Sequence, residues 1–153
     1  MEQALIKQFL DQHSIECEPL SQKVTWELQQ KWREHFAAAV KEATGKWILN
    51  GSDWHAFSSG HTPSLSGFRA EVEYANLDAG AFVVISANEH VLSYQCETHA
   101  LPDLQMFYSF IDRNPEVLDL YLFATDFRWT VVFTHEPQHS IYLARSADLL
   151  NGR

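Results

Sequence analysis

Residues 117–145 read V-L-D-L-Y-L-F-A-T-D-F-R-W-T-V-V-F-T-H-E-P-Q-H-S-I-Y-L-A-R. Three runs in this stretch, 117–125, 129–135 and 141–145, are rich in β-branched and aromatic residues, the types that suit a pleated sheet. Only Asp126-Phe127-Arg128 separates the first two, and Glu136 to Ser140 separates the second and third. Parallel neighbours need a crossover of about a dozen residues or more, usually a helix. Neither connection has room for one, so the three strands are expected to run antiparallel.

The same stretch spells H-E-x-x-H at His135, Glu136 and His139. In zinc proteases that motif works because positions i and i+4 share one helical face, so both imidazoles reach one zinc and the glutamate serves as general base. Here the preceding residues are strand formers, and Pro137 sits inside the motif. Proline lacks the N–H a helix needs and clashes with the preceding turn. Glu136 to Ser140 is therefore read as a hairpin loop, with no zinc-protease activity. A looser metal site at His135 and His139 has no supporting pattern, so no metal and no cofactor are expected.

Upstream, Ala81–Ala87 and Val91–Glu97 flank Asn88-Glu89 and predict another hairpin. Helical spacing places Leu5, Ile6, Phe9 and Leu10 on one face of a first helix, Glu2 to Gln12, which E-C-E-P-L-S-Q breaks. A long helix follows, with Ser21 or Thr25 as N-cap. Its stripe is Leu28, Trp32, Phe36, Ala39, Val40 and Ala43, and Gly45 stops it. Asn50-Gly51 signals a turn, and Trp54–Phe57 is a short strand or an irregular segment. Ser66 opens a third helix with Phe68, Val72 and Ala75 inward and Arg69, Glu71 and Glu73 outward. A fourth begins at Pro102-Asp103, carries Leu104, Phe107, Tyr108 and Ile111, and closes at Asn114-Pro115. The expected fold is a single α+β domain over residues 1–153: a largely antiparallel sheet of about five strands with helices on one face.

Of the 153 residues, 46% are hydrophobic and 20% charged, the balance of a globular chain. No apolar run approaches the roughly 18 residues of a membrane span, and the first residues lack a basic-then-apolar leader. A cytoplasmic protein is expected, with Cys17 and Cys96 as free thiols and the cysteines structural. The net charge of −9 is concentrated centrally: residues 51–125 hold ten acidic side chains and two basic ones. That density repels a phosphate backbone and attracts a basic protein.

No nucleophile elbow, P-loop or dinucleotide fingerprint is present. Ser58 to Gly67 offers hydroxyls beside His61 but reads as loop and cap chemistry. Trp32 and Trp129 lie on core stripes. Trp54 and His55, in an irregular segment, are the candidates for a pocket, with His135 as a third member.

W-H-A-F-S at Trp54 to Ser58 and D-F-R-W-T-V-V-F-T-H-E at Asp126 to Glu136 resemble a family of small bacterial proteins of unknown function. Its members pair W-H-x-F-S with a later D-x-x-W-T-x-x-x-x-H-E strand, in this order over about residues 47–145. They continue with a Gly-rich stretch, where this chain has P-Q-H-S-I-Y-L-A-R. The resemblance implies that His135-Glu136 marks a strand end, and it implies no activity. In type, the chain is also similar to immunity proteins. The leading expectation is a non-enzymatic immunity protein that caps the active site of a cationic toxin, such as a nuclease. Its contacts would be Glu71, Glu73, Asp103, Asp112 and Glu116. The alternative is a small-molecule-binding domain or enzyme with a Trp/His-lined pocket at Trp54, His55 and His135.

Overall fold

Every described residue of the run 119–124 and of the run 129–133 is buried. A strand buried at consecutive positions has both of its faces covered, since neighbouring side chains point to opposite sides of the sheet. That condition organises the molecule. The computed structural model describes residues 4–48, 52–87, 91–117, 119–134 and 141–146.

In chain order the elements are α1 (Leu5–Gln12), β1 (Glu16–Pro19), α2 (Gln22–Phe36), α3 (Ala38–Thr44), α4 (His55–Ser58), β2 (Leu65–Ser66) and α5 (Gly67–Ala75). There follow β3 (Gly80–Ala87), β4 (Leu92–Thr98), α6 (Leu104–Arg113), β5 (Asp119–Ala124), β6 (Trp129–Phe133) and β7 (Ile141–Arg145). All seven strands form one sheet, in the order β1-β4-β3-β5-β6-β7-β2, and every neighbouring pair is antiparallel. The α+β class and the antiparallel reading of residues 117–145 hold.

The sheet has seven strands and not five because two edge strands carry little sequence signal. β1 is E-C-E-P, mostly exposed, and β2 has two residues. An edge strand is hydrogen-bonded on one side only, so it tolerates proline and charge and needs no apolar run. The helices cover both faces and not one. On the first face α1, α5 and α6 pack Phe9, Tyr74 and Phe107 against Phe82, Leu122 and Phe133. On the second, α2, α3 and α4 pack Trp32, Val40 and Phe57 against Val83, Phe123 and Val132.

Local signals explain most helix ends. The Ser21 hydroxyl accepts the Val24 N–H at 3.1 Å and caps α2. Gly45 closes α3 in the left-handed region (φ 80°). The long helix is broken at Ala37 (φ −127°, ψ 10°), which divides α2 from α3. Trp54–Phe57 belongs to no strand: His55–Ser58 is the short helix α4.

The face of α5 differs from expectation. Phe68 and Val72 are exposed, at 77% and 44%, while Ala70 and Tyr74 are buried. Tyr74 sets the rotation. Its ring meets Phe107 and Phe133 edge-on, and its hydroxyl donates to the Pro102 carbonyl. The Tyr74 ring and its bonded hydroxyl are thereby anchored on the inward face of α5.

Between β5 and β6, Phe127 holds φ +61°. A bulky side chain is costly there. Its ring offsets that cost by stacking on Phe123 at 5.2 Å and lying parallel to His35 at 4.5 Å. No helix among the described residues is long and apolar enough to cross a membrane.

Trp32 and Trp129 are both buried but differ in one bond. Trp32 Nε1 donates to Thr130 Oγ1 at 3.0 Å, and that hydroxyl donates to the Leu122 carbonyl at 2.8 Å. Trp129 Nε1 is buried with no hydrogen-bond partner. Trp32→Phe loses volume and a satisfied hydrogen bond, at an expected cost of about 2–4 kcal/mol. Trp129→Phe loses similar volume but relieves an unpaired donor, so its cost is expected to be smaller by about 1–2 kcal/mol. Urea unfolding of the two variants measures the difference.

Candidate functional site

A cleft of about 290 Å³ opens on the face covered by α2, α3 and α4. The sheet supplies its floor: Ile85 and Ala87 from β3, and Asp119, Tyr121 and Phe123 from β5. The register pairs Ile85 with Tyr121 and Ala87 with Asp119, so these side chains project together. Gln29, Trp32 and Arg33 of α2 form one wall, and Ile48, Ser52 and Asp53 form another. The volume lies at the small end of ligand-binding cavities.

The polar groups of the cleft are tied to one another. Arg33 grips Asp53 with two bonds, Nε to Oδ1 at 2.8 Å and a terminal nitrogen to Oδ2 at 3.2 Å. Both side chains are mostly shielded, at 17% and 15% exposed. Such a two-pronged pair fixes direction as well as distance. It pins the segment before α4 onto α2. Trp54 then reaches down twice. Its indole N–H donates to Asp119 Oδ2 at 3.2 Å, and its backbone N–H donates to the Tyr121 hydroxyl at 3.2 Å. Trp32 meets the Tyr121 ring edge-on at 5.3 Å.

Burial pushes the Tyr121 phenol well above its ordinary value, and the carboxylates of Asp53 and Asp119 push it the same way. Tyr121 therefore remains a neutral hydroxyl over the physiological range. Two carboxylates, Asp53 and Asp119, stand in the lining with one guanidinium, Arg33. Such a surface suits hydrogen-bond donors and cations.

The residues predicted for a pocket are placed as follows. Trp54 is buried at 2% exposure and acts as the strut that holds Asp119 and Tyr121. His55 packs against the Trp54 ring at 3.9 Å, and its Nδ1 pairs with Ser58 Oγ at 3.0 Å. It does not line the cleft. His135 and His139 lie outside the described residues, as does the whole H-E-x-x-H stretch. His61 Nδ1 pairs with Ser59 Oγ at 2.7 Å within the loop after α4.

Among the predicted partner contacts, Asp103, Asp112 and Glu116 are exposed. Glu71 and Glu73 are engaged within the fold: Tyr108 donates to Glu71 at 3.4 Å, and Arg145 pairs with Glu73 at 3.1 Å. Among the described residues no three His, Cys, Asp or Glu side chains are grouped to hold a metal ion.

Arg33, Asp53, Asp119 and Tyr121 were missed. Arg33 lies off the apolar stripe of its helix, and no motif or spacing marks Asp53. Asp119 does leave a trace: it is a lone carboxylate inside V-L-D-L-Y-L-F-A, and charge within a buried strand is rare unless it is paired.

No protein family matches the chain, and neither the curated proteins nor the solved structures contain a significant match. The resemblance at Trp54–Ser58 and Asp126–Glu136 therefore rests on those residues alone.

The buried tyrosines make stability depend on alkaline pH. Burial, with Glu71 nearby, pushes Tyr108 up to about 12, and burial, with Asp53 and Asp119 nearby, raises Tyr121 in the same direction. Below a pH of about 10 these groups are protonated in both folded and unfolded chains, and the protein keeps its full stability. Above that, the unfolded chain releases protons the folded chain retains, so stability falls as pH rises towards 12. Each such tyrosine contributes about 1.4 kcal/mol per pH unit in that window. Tyr121→Phe is expected to make the decline shallower by that amount, measured as urea midpoints across the alkaline range.

Proposed function

We propose that this is a small-molecule-binding domain whose ligand is a small organic cation, a protonated amine on an apolar or aromatic body. The observation that carries this reading is the cleft itself. It joins an apolar floor and the Trp32 ring to two carboxylates, one guanidinium and a neutral phenol, all held by hydrogen bonds before any ligand arrives. Preformed polar groups spare a ligand the cost of ordering them. The amine would sit toward Asp119 and Asp53, and the ligand's body against Trp32, Ile85 and Phe123. The net charge of −9 adds a long-range attraction for a cation. Binding, and not catalysis, is the activity proposed.

A second reading keeps the acidic surface as a docking face for a basic protein, in the manner of an immunity protein capping a toxin. Asp103 at the start of α6, Asp112 near its end and Glu116 just beyond it are all exposed and support it. Charge reversal of all three would then abolish protection of cells from a basic effector encoded nearby, without lowering the melting temperature.

Titration calorimetry with tyramine tests the first reading. Tyramine is expected to bind, and 4-hydroxyphenylpropionate, of similar size but opposite charge, is expected not to. Asp119→Asn should weaken tyramine by about tenfold or more, the worth of one charged hydrogen bond. Equal binding of both compounds, or binding untouched by Asp119→Asn, would exclude a cation site in this cleft.

A further inference from the structure

β1 and β4 place Cys17 directly opposite Cys96. Directly paired residues of antiparallel strands project to the same face, with Cβ atoms about 4.5–5.5 Å apart. A disulfide needs about 3.5–4.5 Å. Each thiol perturbs the ionisation of the other, and the Cys96 thiol donates to the Tyr94 carbonyl at 3.8 Å. The remaining approach, about an ångström, falls to β1. It is a four-residue edge strand, bonded to the sheet on one side only, so no second strand opposes a small shift.

Access is available too. A surface groove of about 160 Å³ is lined by both cysteines together with Glu16, Glu18, Gln95 and Glu97. Cys17 also borders a second, more open groove with Lys7 and Asp11. Cys17 is half-buried and Cys96 buried. Burial pushes the Cys17 thiol up, while the Lys7 ammonium, itself paired with Asp11, pulls it down. Cys96 is held more strongly in its neutral form by burial. Cys17 is therefore the sulfur that attacks first.

We infer that Cys17 and Cys96 are a redox site, closing reversibly into a cross-strand disulfide that locks α1 and β1 onto the sheet. The oxidant is a small-molecule disulfide. The Cys17 thiolate attacks one of its sulfurs, forming a mixed disulfide and releasing one thiolate. The Cys96 thiolate then attacks Cys17 Sγ, breaking the mixed disulfide and releasing the second. The protein gives up two electrons and two protons, and the reagent leaves as two thiols. Glu16, Glu18 and Glu97 around the groove favour a cationic reagent over an anionic one.

The test is incubation of the full chain with cystamine, followed by intact mass, thiol counting and thermal unfolding. The expected product has lost two hydrogen atoms, retains no cysteamine, offers neither thiol to a thiol reagent and is restored by dithiothreitol. Its melting temperature rises by about 5–10 °C, because the bridge closes a long loop in the unfolded chain. Cys96→Ser traps cysteamine on Cys17 and shows no such rise. A lasting cysteamine adduct on the wild-type chain, disulfide-linked dimers, or two thiols still free in the folded protein would each overturn the inference. A bridge that forms without raising the melting temperature would overturn the locking role.

Discussion

The structure depends on one requirement: β5 and β6 are apolar at almost every position, so neither face of the sheet can meet water. An alternating strand needs one cover, whereas a continuous apolar strand needs two. The chain meets the requirement with two helical layers drawn from different parts of the sequence. α1, α5 and α6 close one face, and α2, α3 and α4 close the other. Strand β3, in the middle of the sheet, serves both: Phe82 and Val84 join the first core, Val83 and Ile85 the second. The single sheet thereby couples the two layers.

The second layer is also where the polar chemistry gathers. The segment before α4 packs Trp47 and Trp54 into the second core. It is secured by the Arg33–Asp53 pair and by the two hydrogen bonds of Trp54. The same bonds orient Asp119 and Tyr121 at the base of the cleft. Structural fastening and site preparation are one set of contacts, so a substitution at Trp54 or Asp53 touches stability and binding together. Phe127 shows a related economy on this face, where ring stacking with Phe123 and His35 holds a backbone conformation that a bulky residue seldom adopts.

The edges follow a different logic. β1 and β2 bury little and are held mainly by the ladder bonds to β4 and β7. β1 pairs with β4 alone, so a covalent bond between Cys17 and Cys96 would reinforce its one strand pairing. The proline and glutamates of β1 also make it a poor template for pairing with another chain.

How much was legible in the sequence varied with the kind of signal. Short connections determined that residues 117–145 form antiparallel strands, and 3.6-residue periodicity located α1, α2 and α6. Ser21 and Gly45 marked helix ends through backbone chemistry that acts within a few residues. Periodicity failed at α5, where Phe68 and Val72 looked inward but Tyr74, by its partners on α6 and β6, turned the helix the other way. Trp54, read from the sequence as a candidate pocket residue, is a buried strut that holds Asp119 and Tyr121 and does not line the cleft.

Strand direction, most helices and their ends are legible along the chain, because those depend on neighbours in sequence. Packing between distant segments sets which face each helix covers, that both faces are covered, and that Arg33, Asp53, Asp119 and Tyr121 share one cleft. Asp53 and Asp119 are 66 residues apart in sequence, and what joins them is the β3–β5 register and the descent of Trp54 onto the sheet. Contacts of that kind follow from packing of distant segments, which no local pattern records.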